Sequence, residues 1–216
     1  MDIKASLIKS EFENNNRHLA PKTLKMKLKL NLLTLLITSI TLSKIVHAQS
    51  TETINYNPNL VKDTTKKSIN AAAVGKIGQA NVNISYHSPG VRNRVIWGGL
   101  VPFDEVWVTG AHSATTVEID KPFMLGDKTI APGKYALFTI PGDKEWTIIF
   151  NTNWQQHLTD DYNIKDDVIR IKVKTVKQNT ITERLQYFIK DIGSNKGTIA
   201  VAWEKLRVEF NVAIKG

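Results

Sequence analysis

Short runs in which apolar and polar residues alternate limit this chain to a fold built from strands. In residues 80–86, Val82, Ile84 and Tyr86 alternate with polar neighbours, which is the pattern of a half-buried β-strand. Residues 168–176 repeat this pattern, and residues 146–150 and 185–189 predict further, separate strands. No part of the sequence sustains the apolar period of an amphipathic helix. The pattern therefore predicts an all-β protein.

Glycine and proline turns divide the sequence into roughly nine or ten such strands. Residues 123–130 predict a tight hairpin, and the nearly continuous apolar run 135–140 predicts a strand that is buried on both faces. Between Glu204 and Lys205 the apolar positions change from odd to even numbers, which predicts a tight turn or bulge between two strands. The expected architecture is an antiparallel β-sandwich, jelly-roll-like, or a partly open barrel.

The N-terminus has the features of a cleaved signal peptide. A basic start at Met26 is followed by the uncharged run 30–43 and by a small-residue cleavage site at 46–48, so we predict a signal peptide at 26–48. The apolar run is shorter than the roughly 20 residues that cross a membrane, so we expect no membrane span after cleavage. We interpret the polar, irregular residues 1–25 as an extension that precedes the true start.

Composition bounds what the mature chain can be. Residues 1–48 hold eight basic and three acidic side chains, so their removal lowers the net charge from +9 to about +4. This mild charge gives no support for nucleic-acid binding. The sequence has no cysteine, so stability must come from a hydrophobic core rather than from disulfides. We expect a flexible polar leader at 49–70 and one domain at 71–216, in the periplasm or secreted.

Two long stretches interrupt the strands. Residues 88–116, which we call the central loop, are rich in glycine, proline, charge and tryptophan. Residues 151–167, which we call the second excursion, mix amides with acidic residues. Long ordered loops on a rigid sheet are where binding groups concentrate. The sequence therefore predicts a binding surface where these two stretches meet, at one end of the sandwich.

Blocks of sequence distributed over most of the predicted domain are similar to those of a known family. They run in one order through residues 73–214 and include Pro89-Gly90, Gly98-Gly99-Leu100-Val101-Pro102, Glu105-Val106-Trp107, Thr109-Gly110-Ala111, Pro132-Gly133-Lys134-Tyr135 and Glu183-Arg184-Leu185. In these blocks the chain resembles the DUF2911 family. The resemblance implies an exported all-β bacterial protein and supplies no reaction, ligand or catalytic residue. Val108 and His112 depart from the family's pattern, in which arginine and asparagine are usual at these two positions.

The mature chain keeps three histidines, all on or beside the two stretches: His87, His112 and His157. With Asp104 or Glu105 they are weak candidates for a zinc site, because zinc binds neutral imidazole and carboxylate. The sequence lacks the H-x-H and H-E-x-x-H spacings, so three unrelated surface or turn histidines are the favoured interpretation. We predict no metal and no cofactor.

Arg92 and Arg94 lie two positions apart, so on extended backbone both guanidinium groups project from one face. This spacing predicts either a fork for a carboxylate or phosphate ligand, or a clamp with Glu105 that pins the central loop to the domain. The clamp is favoured because half-buried charges are usually paired within the protein.

The five tryptophans divide into core and surface candidates. Trp146 and Trp203 fit strand alternation and are predicted core residues. Trp107 is expected to pack as well, although it stays a ligand-binding candidate. Trp154 is flanked by amides, an arrangement that can stack on and hydrogen-bond to a sugar. Packing of Trp154 over the end of the sandwich is the favoured alternative.

The predicted ligand-binding candidates are therefore Arg92, Arg94, Glu105, Trp107, His112 and Trp154. Catalysis has weaker support, because no G-x-S-x-G is present and Ser88 lies in a turn, where a local hydrogen bond is its expected role. Whether the chain is an enzyme stays open. We predict a non-catalytic binding or structural module of the cell envelope, with a glycan or another envelope protein as partner. The alternative is a metal-assisted or carboxylate-based hydrolase that acts on glycan or peptide.

Overall fold

The computed structural model describes residues 57–60 and 65–215, whose strands form one antiparallel sheet. The nine strands are β1 (Ser68–Ile77), β2 (Ala80–Pro89), β3 (Thr116–Ile119), β4 (Phe123–Leu125), β5 (Lys128–Ile130), β6 (Gly133–Ile140), β7 (Glu145–Asn151), β8 (Asp167–Gly193) and β9 (Lys196–Ile214). Their order in the sheet is β1-β2-β3-β6-β7-β8-β9-β4-β5. The described residues contain two 3₁₀ turns, Pro58–Leu60 and Ile164–Asp166, and no α-helix. The all-β prediction is confirmed.

Several local predictions agree with this sheet. β4 and β5 form the expected hairpin, with Phe123 opposite Ile130. β6 is buried on both faces, since every side chain from Tyr135 to Thr139 is buried. A strand in the interior of a sheet, covered on both sides, needs the continuous apolar sequence that β6 has.

β8 and β9 are longer than the sequence predicted. The expected separate strands at 168–176 and 185–189 are both parts of β8, which pairs first with β7 and then with β9. The change of parity in β9 is a bulge at Glu204, where the backbone has a φ of 54° and the register with β8 shifts. The predicted bulge is confirmed, but the predicted boundary between two strands is wrong, because a bulge changes parity without ending a strand.

The sheet curls back on itself where β2 meets β8. Gly90 forms an isolated bridge with Arg184, and the Val91 N–H donates to the carbonyl of Glu183 over 2.7 Å. Because β2 and β8 are not neighbours in the strand order, this contact requires the sheet to bend through the strands between them. The concave side holds the main hydrophobic core, whose largest fully buried side chains include Trp203, Phe123 and Phe150.

The strand that begins the sheet, β1, was not expected. Its burial pattern alternates poorly and its residues are mostly small, so its sequence lacks a clear period. It starts at Ser68, slightly before the predicted domain start at residue 71. Upstream of it, the Asn59 side chain accepts from the Arg184 N–H (2.7 Å) and donates to the Arg184 carbonyl (3.1 Å).

The predicted N-terminal extension at 1–25 and signal peptide at 26–48 lie outside the described residues. Among the residues that the structure does describe, no helix is long and apolar enough to cross a membrane.

Candidate functional site

The central loop and the second excursion cover the outer face of β6 and β7. A second, smaller core forms between them and the sheet, from Val108, Ala114, Ala136, Phe138 and Ile149. Trp154 and Tyr162 of the second excursion pack against this core. The two stretches therefore lie on one face of the sheet and are held there by apolar contacts.

Backbone hydrogen bonds join the two stretches to each other. The Ala114 N–H donates to the carbonyl of Gln156 over 3.0 Å, and the Leu158 N–H donates to the carbonyl of His112 over 2.6 Å. Between these bonds, Ser113 and His157 form an antiparallel bridge. The structure thus brings together the two stretches that the sequence singled out.

Buried polar contacts organise the second excursion. The Asn151 side chain, fully buried, donates to the Asp167 carboxylate over 2.8 Å. The same carboxylate accepts from the Tyr162 hydroxyl (2.7 Å) and pairs with Arg170 (2.9 Å). Burial, followed by the hydrogen bond and the charge of Asp167, raises the pKa of Tyr162 to about 12. These contacts fix the path of the excursion from both of its ends.

An open groove of about 810 Å³ runs between the excursions and the outer face of β1 and β2. Cross-strand pairs form its floor, with Asn70 opposite His87 and Ala72 opposite Ser85. Its wall comes from the two excursions and includes Ser113, Trp154, Gln155, Gln156, His157 and Asp161. Small side chains on the floor leave room above the sheet, so the groove exists because β1 and β2 carry Ala and Ser there.

The groove has a mixed lining, mostly apolar in surface with hydroxyl and amide groups, and carries little charge. None of the described residues that line it is lysine or arginine, and Asp161 supplies the one carboxylate among them. Behind the wall, the Lys134 ammonium lies 4.4 Å from the centre of the Trp154 ring. Cation–π contact of this kind holds an exposed indole in one orientation.

The histidines are arranged around the same groove. The imidazoles of His87 and His112 are in edge-to-face contact, with ring centres 5.1 Å apart. Partial burial, and then the nearby His112, lower the pKa of His87. Nδ1 of His157 lies 3.0 Å from the Asp160 carboxylate. In the part of the chain that the structure describes, no three His, Cys, Asp or Glu side chains are grouped so that they could hold a metal ion, so the disfavoured alternative of a zinc site with three or more of these side chains as ligands is not formed there.

Comparison with protein families decides where the chain belongs. The family described as a protein of unknown function, DUF2911, matches residues 68–212, which is well over half of the chain. The chain belongs to the DUF2911 family. Searches of curated proteins and of solved structures find no match.

Both positions that depart from the DUF2911 pattern lie in the region around the groove. Val108 is 2% exposed and belongs to the small core under the excursions, where an arginine would have to bury its charge. His112 has a left-handed backbone, with a φ of 59°, and its ring contacts His87. In this DUF2911 chain, Val108 therefore takes part in core packing and His112 in a ring contact.

The arginines of this DUF2911 protein clamp backbone rather than carboxylate. Arg94 donates to the carbonyls of Gly90 (2.5 Å) and Val91 (3.2 Å). The Arg92 guanidinium donates to the carbonyl of Thr65 over 3.1 Å, while the Arg92 backbone N–H donates to the Glu183 carboxylate over 2.9 Å. Among the described residues no ion pair joins either arginine to Glu105. Both guanidinium groups donate to carbonyl oxygens, so the predicted arginine–carboxylate clamp with Glu105 is wrong.

The tryptophans other than Trp154 form a cluster in the main core. Trp107 stacks on Trp203 with ring centres 5.8 Å apart, and Trp97 meets Trp146 edge to face at 4.9 Å. The prediction that Trp146 and Trp203 are core residues is confirmed, because each is 2% exposed. Trp107 donates to the carbonyl of Gly110 over 3.2 Å and does not line the groove.

Sequence reasoning missed the floor of the groove. Asn70, Ala72 and Ser85 lie on it, and none of them belongs to a motif. Ser88, by contrast, is fully buried in β2 and donates to the carbonyl of Leu185 in β8 over 2.6 Å, so the prediction of a local hydrogen bond within a turn is wrong. The alternation in β2 predicts which of its side chains point away from the core. It does not predict that the two excursions lie over these side chains and make them the floor of a groove.

Proposed function

We propose that this DUF2911 protein is an exported, non-catalytic binding module of the cell envelope and that its ligand lies in the groove over β1 and β2. The observation that carries the proposal is the meeting of the two excursions, which wall an open space of about 810 Å³ that carries little charge. Volumes of this size are typical of ligand sites. The signal-like sequence at 26–48 supports export to the periplasm or beyond.

We further propose that the curled sheet is the two-layer sandwich or partly open barrel expected from the sequence. The Gly90–Arg184 bridge supports this arrangement, because it brings strands from distant places in the sheet order into contact.

The chemistry of the groove favours a neutral glycan over an anionic ligand or a strongly charged peptide. Its lining offers hydroxyl and amide groups at Ser85, Ser113 and Gln155, which match the donors and acceptors of a sugar. Trp154 adds a flat apolar surface held in place by Lys134. An anion would find no cation among the described lining residues and would face Asp161.

Binding of neutral and anionic oligosaccharides by the purified chain tests this proposal. Gln155 is exposed and lines the groove, whereas Gln178 lines a separate pocket of about 320 Å³, so Gln155→Ala and Gln178→Ala form a matched pair. We expect Gln155→Ala and Trp154→Ala to weaken binding of a neutral oligosaccharide about fivefold or more, the loss of roughly 1 kcal/mol. Gln178→Ala is expected to bind normally. Equal effects of the two glutamine variants, or no glycan binding at all, would refute it.

One observation favours hydrolysis as a second candidate function. Ser113 and His157 are opposed in an antiparallel bridge, which places their Cβ atoms about 5 Å apart, and His157 in turn meets Asp160. A nucleophile, a base and a group that orients the base are the components of acyl transfer. Covalent labelling by a fluorophosphonate probe that is lost in Ser113→Ala would support this function. A chain that takes up no label would exclude a serine hydrolase.

A further inference from the structure

We propose that His87 and His112 together chelate a late divalent transition-metal ion, of the class Cu²⁺, Ni²⁺ or Zn²⁺. The site lies beside the groove, where the central loop passes over β2. It requires neither the glycan nor the hydrolytic chemistry proposed above, because the metal ion is held by the two imidazoles.

The spacing of the two rings fits a shared metal ion. Their centres are 5.1 Å apart and their planes differ by 70°. Two imidazoles that bind one tetrahedral ion place their centres about 5 Å apart, since each metal–nitrogen bond is about 2.0–2.1 Å long. His112 is exposed, so its ring can turn one nitrogen toward the ion without disturbing packing.

Both imidazoles have nitrogens available for a metal ion. Within the part of the chain that the structure describes, neither the His87 ring nor the His112 ring makes a hydrogen bond, whereas Nδ1 of His157 is held by Asp160. The two adjacent rings without hydrogen bonds therefore set His87 and His112 apart from His157.

The backbone holds one ligand rigidly and presents the other from a turn. His87 lies on β2, paired across the strands with Asn70. His112 has a φ of 59°, a left-handed conformation that few non-glycine residues adopt, and its carbonyl accepts the 2.6 Å bond from Leu158. This unusual turn brings the exposed His112 side chain against the ring of His87.

The ligand types determine which ions the site would take. Imidazole suits Cu²⁺, Ni²⁺ and Zn²⁺, while Mg²⁺ and Ca²⁺ prefer oxygen ligands. Since no group of three ligating side chains is present among the described residues, water or an added ligand would complete the coordination sphere. For such a site the usual order of stability predicts that Cu²⁺ binds most tightly.

Titration of the purified, untagged chain with Zn²⁺, Ni²⁺ and Cu²⁺ by calorimetry tests the site, with Mg²⁺ and Ca²⁺ as negative controls. We expect one ion per chain, and at least about tenfold weaker binding in His87→Gln and in His112→Gln, because even partners beyond the metal ligands shift affinity by tenfold or more. His157→Gln in the same groove is expected to change the affinity less than about twofold.

A second measurement does not depend on the variants folding normally. In the wild-type chain, substoichiometric Cu²⁺ should broaden the imidazole NMR signals of His87 and His112 before those of His157. Binding of several ions per chain, equal broadening of all three histidines, or affinity unchanged in both glutamine variants would overturn the proposal.

Discussion

At the scale of single residues, Asp167 holds the second excursion through three other side chains. Its carboxylate, 5% exposed, contacts Asn151, Tyr162 and Arg170. We predict that Asp167→Asn lowers the free energy of unfolding by about 1–3 kcal/mol, because hydrogen bonds to a charged group are lost. Urea denaturation measures this change. The exposed Asp161 is the control, and Asp161→Asn is expected to cost less than about 0.5 kcal/mol. Equal costs would contradict the role given to Asp167.

Because Tyr162 titrates at alkaline pH, the stability that these contacts provide depends on pH in that range. Its pKa is about 12 in the folded chain against an ordinary value of 10.0, so folding favours the neutral phenol. Its contribution to stability is complete below pH 10 and is lost as the pH rises to about 12. We predict that Tyr162→Phe loses less stability than the wild type across this pH window, as followed by thermal unfolding.

Besides burial, the Asp167 carboxylate contributes to the raised pKa of Tyr162. In Asp167→Asn, absorbance titration should therefore give a lower pKa for Tyr162. An unchanged pKa would contradict this.

Features of single residues that depend on the neighbouring sequence were predictable, whereas contacts between distant residues were not. Trp146 and Trp203 were identified as core residues because strand alternation alone assigns them to the inner face. The contact between His87 and His112 could not be predicted, since it depends on how far the central loop folds back over β2. One of Arg92 and Arg94 was expected to pair with Glu105, yet Arg94 donates to carbonyl groups of its own turn, which lie closer in the chain.

At the scale of elements, Gly197 is where β9 approaches β1. A Cβ at this position would lie 2.6 Å from Ile77 and 2.6 Å from the carbonyl oxygen of Lys190, which is backbone and cannot turn aside. We predict that Gly197→Ala destabilises the fold by about 1–3 kcal/mol. Gly133→Ala is the matched control, because its nearest neighbours would be at 3.5 Å, an ordinary contact. Denaturant midpoints compare them, and a harmless Gly197→Ala would contradict the close approach.

Elements with a clear period were predictable and those without one were not. β2, β6 and β7 were found from their apolar patterns, and β6 was recognised as buried on both faces. β1 was missed because its small residues give no period, although pairing with β2 fixes it as a strand. β8 was divided in two because its exposed, charged middle resembles a loop in sequence while it stays paired to β9.

At the scale of the whole molecule, the sequence indicated which two long stretches come together but not the groove that lies beneath them. The central loop and the second excursion were marked by composition, and the structure joins them through Ser113 and His157. The groove itself needs the third component, the outer face of β1 and β2, which becomes a floor only when the excursions fold over it. No local pattern contains that information.

Chemical-shift mapping with a neutral oligosaccharide tests most directly whether this groove is the binding site. We predict that the amide signals of Ser85, Gln155 and His157 shift together on titration, because these residues line the floor and wall of one groove. Signals of Phe103 and Gln178, which line the separate pocket, should not move. Shifts confined to that separate pocket, or no shift at all across a range of neutral oligosaccharides, would contradict the account.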